Sequence, residues 1–302
     1  MHDIIIVGGG PAGLTAAIYA LRAGKSVLVI EKNGFGGQIA FSPKVENIPG
    51  FQMVTGTEFA DKLTEQAMAL GADVELEKVI SVEKTDEGFA VSTEEGSTYN
   101  AQAVILALGV KHRTLGLEKE DELIGNGISF CAVCDGAFYA GQEVAMIGGG
   151  NSAMQEALLL SEVCTKVTIV QNLADFTGEK KLAQALSEKD NVQVLFNTVV
   201  TAYDTADGAL TGLQLRNEKT GEVSAISVDG AFLAVGLQPE NEPFAQLAKL
   251  NNWGYFDSAE DCCTQTPGLF VAGDCRSKYI RQVVTAAADG AIAAMAACRY
   301  LD

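Results

Sequence analysis

Cys131 and Cys134 lie three positions apart in FCAVCDGAFYAG, residues 130 to 141, beside Asp135 and Gly136. Such a pair can form half of a zinc site, crosslink a chain, or carry electrons as a dithiol. Zinc needs about four ligands, yet there is no second CxxC, and the only histidines are His2 and His112. Seven cysteines in 302 residues is an odd count, which argues against a disulfide framework. Two inert buried cysteines remain as the alternative to a dithiol. A dithiol exchanges as thiolate, the free thiol pKa of about 8.5 falls in CxxC motifs, and a nearby acid can return a proton to the leaving sulfur. Asp135 is placed for that acid role.

A second chemistry is written twice. Residues 3 to 31, DIIIVGGGPAGLTAAIYALRAGKSVLVIE, read as strand, glycine turn, Ala/Leu-rich helix and a second strand ending in an acid. In such a βαβ unit Gly8 permits the tight turn, Gly10 lets backbone approach a pyrophosphate, and Gly13 lets helix pack closely on strand. Glu31, 18 residues after Gly13, can take the ribose hydroxyls. Residues 143 to 171 repeat the plan with Gly148, Gly150 and Ala153, but Gln171 stands where the first unit has its acid. The second turn keeps its phosphate glycines and loses the carboxylate.

The elements around these turns predict an α/β chain of two Rossmann-like, three-layer dinucleotide-binding domains, the second inserted into the first. Residues 74 to 108 read as alternating strands of a small antiparallel sheet, and 191 to 241 repeat that pattern. The expected domains are 1–112 with 243–302, and 113–242. Near the C-terminus, TPGLFVAGDC places Asp274 at a strand end before a small-residue helix, where it is either a ligand to a cofactor polyol or a helix cap.

Composition narrows the partners. Hydrophobic residues make up 48% of the chain, which suits packed domains. With 39 acids against 21 bases the net charge is −18, which repels nucleic acid. MHDIIIVGGG has a four-residue apolar run and no basic segment, and no stretch approaches the roughly 18 apolar residues of a membrane span. A cytoplasmic protein with no nucleic-acid or membrane partner is expected.

Taken together, GGGPAG with Glu31, GGQIAFSPKVENIPGF (36–51), ILALG (105–109), CAVCDG (131–136), GGGNSA (148–153), AVGLQPEN (234–241) and GLFVAGD (268–274) resemble the low-molecular-weight, bacterial-type thioredoxin reductases over essentially the whole chain. The resemblance implies an FAD domain formed by the first and last segments, and a pyridine-nucleotide domain that carries the dithiol. It implies that flavin reduces Cys131 and Cys134, with Cys134 nearer the flavin, and that a thioredoxin or thioredoxin-like disulfide reoxidises them. It assigns Gly8, Gly10, Gly13 and Glu31 to the ADP half of FAD, Gln38 and Asn47 to the isoalloxazine side, Asp274 to the ribityl chain, and Arg281 with Gln282 to the pyrimidine end. Pro11, Ala12, Lys32, Gly37, Gly109, Gly273 and Val283 are further cofactor-binding positions. Gly148, Gly150, Asn151, Ser152, Ala153 and Gln171 fall to the nucleotide. The remaining cysteines match no redox position. A homodimer, with domains that rotate between flavin-facing and substrate-facing arrangements, is the family expectation.

The match breaks at one place. NADPH-using members follow the second turn with the pattern HRRxxxR, where this chain has Gln171, Asn172, Leu173, Ala174, Asp175, Phe176 and Thr177. Charge-assisted hydrogen bonds contribute roughly 1.5 to 3 kcal/mol each, so losing two costs on the order of 10² to 10⁴ in affinity. NADPH is therefore disfavoured. NADH is the expected donor, with the amide of Gln171 or Asn172 toward a 2′-hydroxyl, and reduced ferredoxin is the rival donor. Two other functions share the fold: a flavin-dependent ferredoxin/NAD(P)H oxidoreductase, which needs no dithiol, and a nucleotide-binding module without turnover.

Overall fold

A computed structural model describes residues 1–302 except Pro43, Lys44 and Glu46, and without the side chains of Phe41 and Cys134. In chain order the elements are β1 (His2–Val7), α1 (Pro11–Arg22), β2 (Val27–Glu31), α2 (Gly56–Ala69), β3 (Asp73–Leu76), β4 (Val79–Thr85), β5 (Gly88–Thr93), β6 (Thr98–Leu106) and β7 (Lys111–His112). There follow α3 (Glu120–Leu123), β8 (Ile128–Ser129), α4 (Ala132–Asp135), β9 (Glu143–Ile147), α5 (Asn151–Ser161), β10 (Lys166–Val170), α6 (Lys180–Ser187) and β11 (Val192–Leu195). The chain closes with β12 (Thr198–Ala206), β13 (Ala209–Asn217), β14 (Val223–Ser227), β15 (Gly230–Leu233), β16 (Leu237–Gln238), β17 (Leu269–Val271) and α7 (Val283–Leu301).

These elements form two compact units, residues 1–111 with 238–302, and residues 112–237. Gln238–Asn241 lie with the first unit. Asn241 anchors them, because its fully buried amide donates to the carbonyls of Gly254 and Cys275.

In the first unit the strand order is β3-β2-β1-β6-β5-β4, with β17 paired to the second half of β6. β3, β2, β1, β6 and β17 run parallel, and β4 and β5 extend the same sheet antiparallel. The apolar run IIIV in β1 explains its central place, since a strand buried on both faces needs apolar residues at every position. Ile4 and Ile6 pack with Leu14 of α1 and Ala293 of α7, whereas Ile5 and Val7 face Phe89, Phe244 and Phe256. The stretch 74–84 differs from the continuous antiparallel strand expected there. It breaks after Leu76, so that β3 joins the parallel edge beside β2 while β4 joins the opposite edge.

The second unit holds the parallel sheet β11-β10-β9-β15-β8 and the antiparallel sheet β12-β13-β14. Val144 and Met146 face Met154, Ala157 and Leu160 of α5, and Ala145 and Ile147 face Leu213 and Leu215 of β13. Helix, parallel sheet and antiparallel sheet are therefore its three layers. Among the described residues no helix is long and apolar enough to cross a membrane.

Candidate functional site

The first glycine turn joins β1 to α1 around backbone contacts that admit no side chain. Gly8 has φ +109°, and a Cβ there would lie 2.3 Å from the carbonyl oxygen of Ala107. A Cβ on Gly13 would lie 1.8 Å from the carbonyl oxygen of Gly8, so helix and strand meet backbone to backbone. Gly10 caps α1 without a side-chain hydrogen bond, and Pro11 occupies the first turn. The amides of that turn are thus open to an anion, with the helix dipole behind them. Glu31 closes the far side by accepting the N–H of Gly9 at 2.7 Å and of Asn33 at 3.0 Å. Beside it, Lys32 pairs with Glu240 at 2.5 Å, and Glu240 pairs with Lys111 at 2.8 Å.

Gly37 draws close to Gly10, since a Cβ on it would lie 3.1 Å from the Gly10 Cα. Gln38 donates its amide to the carbonyl of Val110. Asn47 donates to Gln282 at 2.9 Å, and Gln282 in turn caps α7 in a reciprocal pair with Thr285. That leaves Asp274 without a capping role. It sits instead in the turn Gly273–Cys275 at the end of β17, and its Oδ1 is buried with no hydrogen-bond partner. Burial pushes its carboxyl up, against the pull of Lys278 and Arg281. Arg281 lies over the ring of Tyr255, 4.1 Å from its centroid, and donates to the Asp274 carbonyl at 3.2 Å.

An open helix end, an acid 18 residues beyond Gly13 and a buried carboxylate oxygen lacking a donor fit a dinucleotide whose polyol hydroxyls supply that donor. Beneath Asp274 lies a feature with no local signal in the sequence. Asp289 of α7 accepts from Arg276 at 2.9 Å, from Lys278 at 2.8 Å and from the Gly273 N–H at 3.1 Å. All three charged side chains are 10% exposed or less. The carboxylate sits 13 residues from Arg276, on another element, so only the folded chain unites them.

In the second unit the turn after β9 repeats the first: Gly148 has φ +131°, and a Cβ there would lie 2.4 Å from the Ala234 carbonyl oxygen. Gly150 caps α5 without a side-chain bond, and Asn151, Ser152 and Ala153 form its first turn. Asn151 also accepts the Glu179 N–H at 2.7 Å. Gln171 is only 3% exposed and packs against Gly149, and its amide nitrogen donates to the Asp175 carbonyl at 3.1 Å. One of its two N–H groups is therefore occupied, whereas Asn172 is exposed.

The same unit carries the cysteine pair. Cys131 is disulfide-bonded, and the side chain of Cys134 lies outside the described residues. Cys164, Cys262, Cys263, Cys275 and Cys298 are free thiols, four of them buried, and burial pushes all five thiols up. Ser129 Oγ donates to Asp135 Oδ2 at 2.6 Å and accepts the Cys131 N–H at 3.1 Å, so one buried hydroxyl fixes the acid relative to the pair. Glu156 of α5 accepts the Ala132 N–H at 3.0 Å. Ser129 and Glu156 went unread in the sequence: Ser129 lies two residues before Cys131 but outside the CxxC itself, and Glu156 lies 24 positions from Ala132. His112 stacks on Phe130, with ring centroids 5.0 Å apart.

Residues 2–290 match the family described as pyridine nucleotide-disulphide oxidoreductase. The chain is 38% identical over 302 residues to thioredoxin reductase of Bacillus subtilis, covering 100% of this chain and 95% of that one. Among solved structures it resembles thioredoxin reductase of Lactococcus lactis, with a TM-score of 0.87, 33% identity and coverage of 100% and 99%. It also resembles thioredoxin reductase of T. acidophilum, with a TM-score of 0.84, 35% identity and coverage of 99% and 98%. FAD and a nicotinamide nucleotide are the cofactors that accompany this family. The chain belongs to the pyridine nucleotide-disulphide oxidoreductases, in the branch of the bacterial-type thioredoxin reductases.

Proposed function

We propose that the chain reduces the disulfide of a thioredoxin-like protein through Cys131 and Cys134, with NADH as the donor. The observation that carries this reading is the CxxC pair followed by Asp135, whose Oδ2 accepts from Ser129 Oγ at 2.6 Å. Bound FAD supplies the two electrons that reduce the disulfide. Gly8, Gly10 and the open amides of α1 bind its pyrophosphate, Glu31 orients its ribose, and Asp274 Oδ1 accepts from its ribityl hydroxyls.

Reduction of the Cys131–Cys134 disulfide consumes two electrons and two protons. Asp135, with Oδ2 held by Ser129, delivers a proton through Oδ1 to the leaving sulfur. The thiolate of one cysteine then attacks the partner disulfide, forming one S–S bond as the partner's other sulfur leaves and takes up a proton. Attack by the second cysteine on that mixed disulfide restores the Cys131–Cys134 bond and releases the partner as a dithiol.

Support for NADH comes from the retained turn at Gly148 and Gly150, the uncapped start of α5, and the absence of any base between Gln171 and Thr177. With one N–H of Gln171 held by Asp175, its second N–H or the exposed amide of Asn172 is the donor for a 2′-hydroxyl. Anaerobic titration of the yellow holoprotein with NADH, NADPH and reduced ferredoxin, followed by flavin absorbance, tests the choice. Bleaching by NADH with little by NADPH is expected. Bleaching by ferredoxin alone would overturn the NADH reading and leave the second turn as a structural element.

A further inference from the structure

The start of the dithiol helix is covered by the protein's own oxygen atoms. Cys131 immediately precedes α4, and its N–H goes to Ser129 Oγ at 3.1 Å. The next amide, that of Ala132, goes to Glu156 Oε2 at 3.0 Å. In a CxxC motif these amides, unpaired at the helix start, are a source of thiolate stabilisation. Here one of them is directed onto a carboxylate, which places a negative charge on the amide of the residue next to Cys131.

We propose that Glu156 is a positioning residue for the dithiol: its carboxylate takes the first amide of α4 and keeps the thiolate of the pair less stable than an uncovered helix end would. The inference rests on the pair being the redox dithiol. Glu156 is half-buried, burial raises its carboxyl and the Ala132 amide opposes that shift, and among the described residues no base forms an ion pair with it. Thiols titrate near 8.5, well above ordinary carboxyls. The Glu156 carboxyl that accepts the Ala132 amide is the group whose charge the variants below remove or keep.

Few other charges bear on the pair. On α4 itself there is Asp135, and in the turn that follows, Tyr139, whose hydroxyl is raised by burial and by Asp135 and Asp229. Of the elements packed on α5, β9 and β10 contribute Glu143 and Lys166, which pair with each other at 3.8 Å, and α6 contributes the exposed Lys180 and Lys181. His112 stacks on Phe130, and burial lowers its pKa. A less stable thiolate leaves the reduced pair less stabilised, and such a pair is the stronger reductant.

The test reads the thiols directly and needs neither donor nor acceptor. Reduced holoprotein is alkylated between pH 6 and 10, and the peptide spanning residues 131–134 is quantified by mass. Glu156→Gln keeps an acceptor for the amide and removes the charge. It is expected to move the alkylation profile down by about one pH unit, and to favour the reduced pair about tenfold against a dithiol buffer, or about 30 mV. Glu156→Ala uncovers the amide and is expected to move it at least as far, so either variant decides. Glu156→Asp keeps the charge and is expected to move it less. An unchanged profile in a variant that melts like the parent, or equal shifts for Gln and Asp, would overturn the proposal. Failure of the parent to yield new thiols at 131 and 134 on reduction would instead remove the dithiol reading itself.

Discussion

Asp289→Asn removes one negative charge from a buried cluster of two cations. Arg276, Lys278 and Asp289 have side chains 6%, 10% and 9% exposed, so solvent screens the cations little once the carboxylate is gone. Removing one partner of a buried pair costs about 3 to 5 kcal/mol, because the remaining charge is left uncompensated. The amide offers one oxygen where the carboxylate offered two, so one of its three donors is also displaced. For a unit of this size each kcal/mol shifts Tm by about 2 to 4 °C, which gives a fall of roughly 6 to 20 °C. The assay is thermal release of the flavin followed by its fluorescence, which reports on the first unit. FAD retention should fall as well, because the Gly273 N–H that Asp289 holds aims the neighbouring Asp274. Replacing the cluster with apolar residues, Asp289→Leu with Arg276→Met and Lys278→Met, should recover most of the lost stability. A folded Asp289→Asn protein that melts within 2 °C of the parent (roughly the effect of 1 kcal/mol) and keeps its flavin would refute the reasoning.

Three further outcomes are expected. Lys111 and Lys32 hold the Glu240 carboxyl down to about 2 from its ordinary 4.5. Their contribution is therefore complete above about pH 4.5 and is lost as pH falls through about 2; with both sides of the pair exposed it is at most about 1 kcal/mol. Acid unfolding of Glu240→Gln should accordingly differ from the parent above pH 4.5 and converge with it near pH 2. Asp274→Ala removes the buried acceptor and should weaken FAD binding by about 10- to 150-fold, the equivalent of one charge-assisted hydrogen bond, read by flavin fluorescence during dialysis. Asn172→Arg with Leu173→Arg, both at exposed positions, should strengthen NADPH binding by on the order of 10² to 10⁴, read as the NADPH concentration needed to bleach the flavin; no gain would break the argument from the missing bases.

What could be read from the sequence was what is encoded over short stretches. The glycine spacing at 8–13 and 148–153 fixed the two turns, because a missing Cβ is a local steric requirement. CxxC followed by an acid marked the candidate dithiol because its residues are neighbours in the sequence. The break between β3 and β4 went unread, since an alternating pattern persists through Glu77 and only pairing with β2 separates the two strands. Asp289 and Glu156 went unread because their partners lie on other elements, Gly273 and Ala132, 16 and 24 positions away. That one N–H of Gln171 donates to Asp175 within its own loop also went unread, because composition does not specify that turn geometry.

Counting thiols tests the central claim most directly. The oxidised holoprotein and the same protein after anaerobic reduction of its flavin would be alkylated and mapped by mass. The account predicts two additional alkylated cysteines, Cys131 and Cys134, with the other five unchanged. A reduced flavin with no new thiol at either position would contradict it and favour a flavin electron transferase that works without a dithiol.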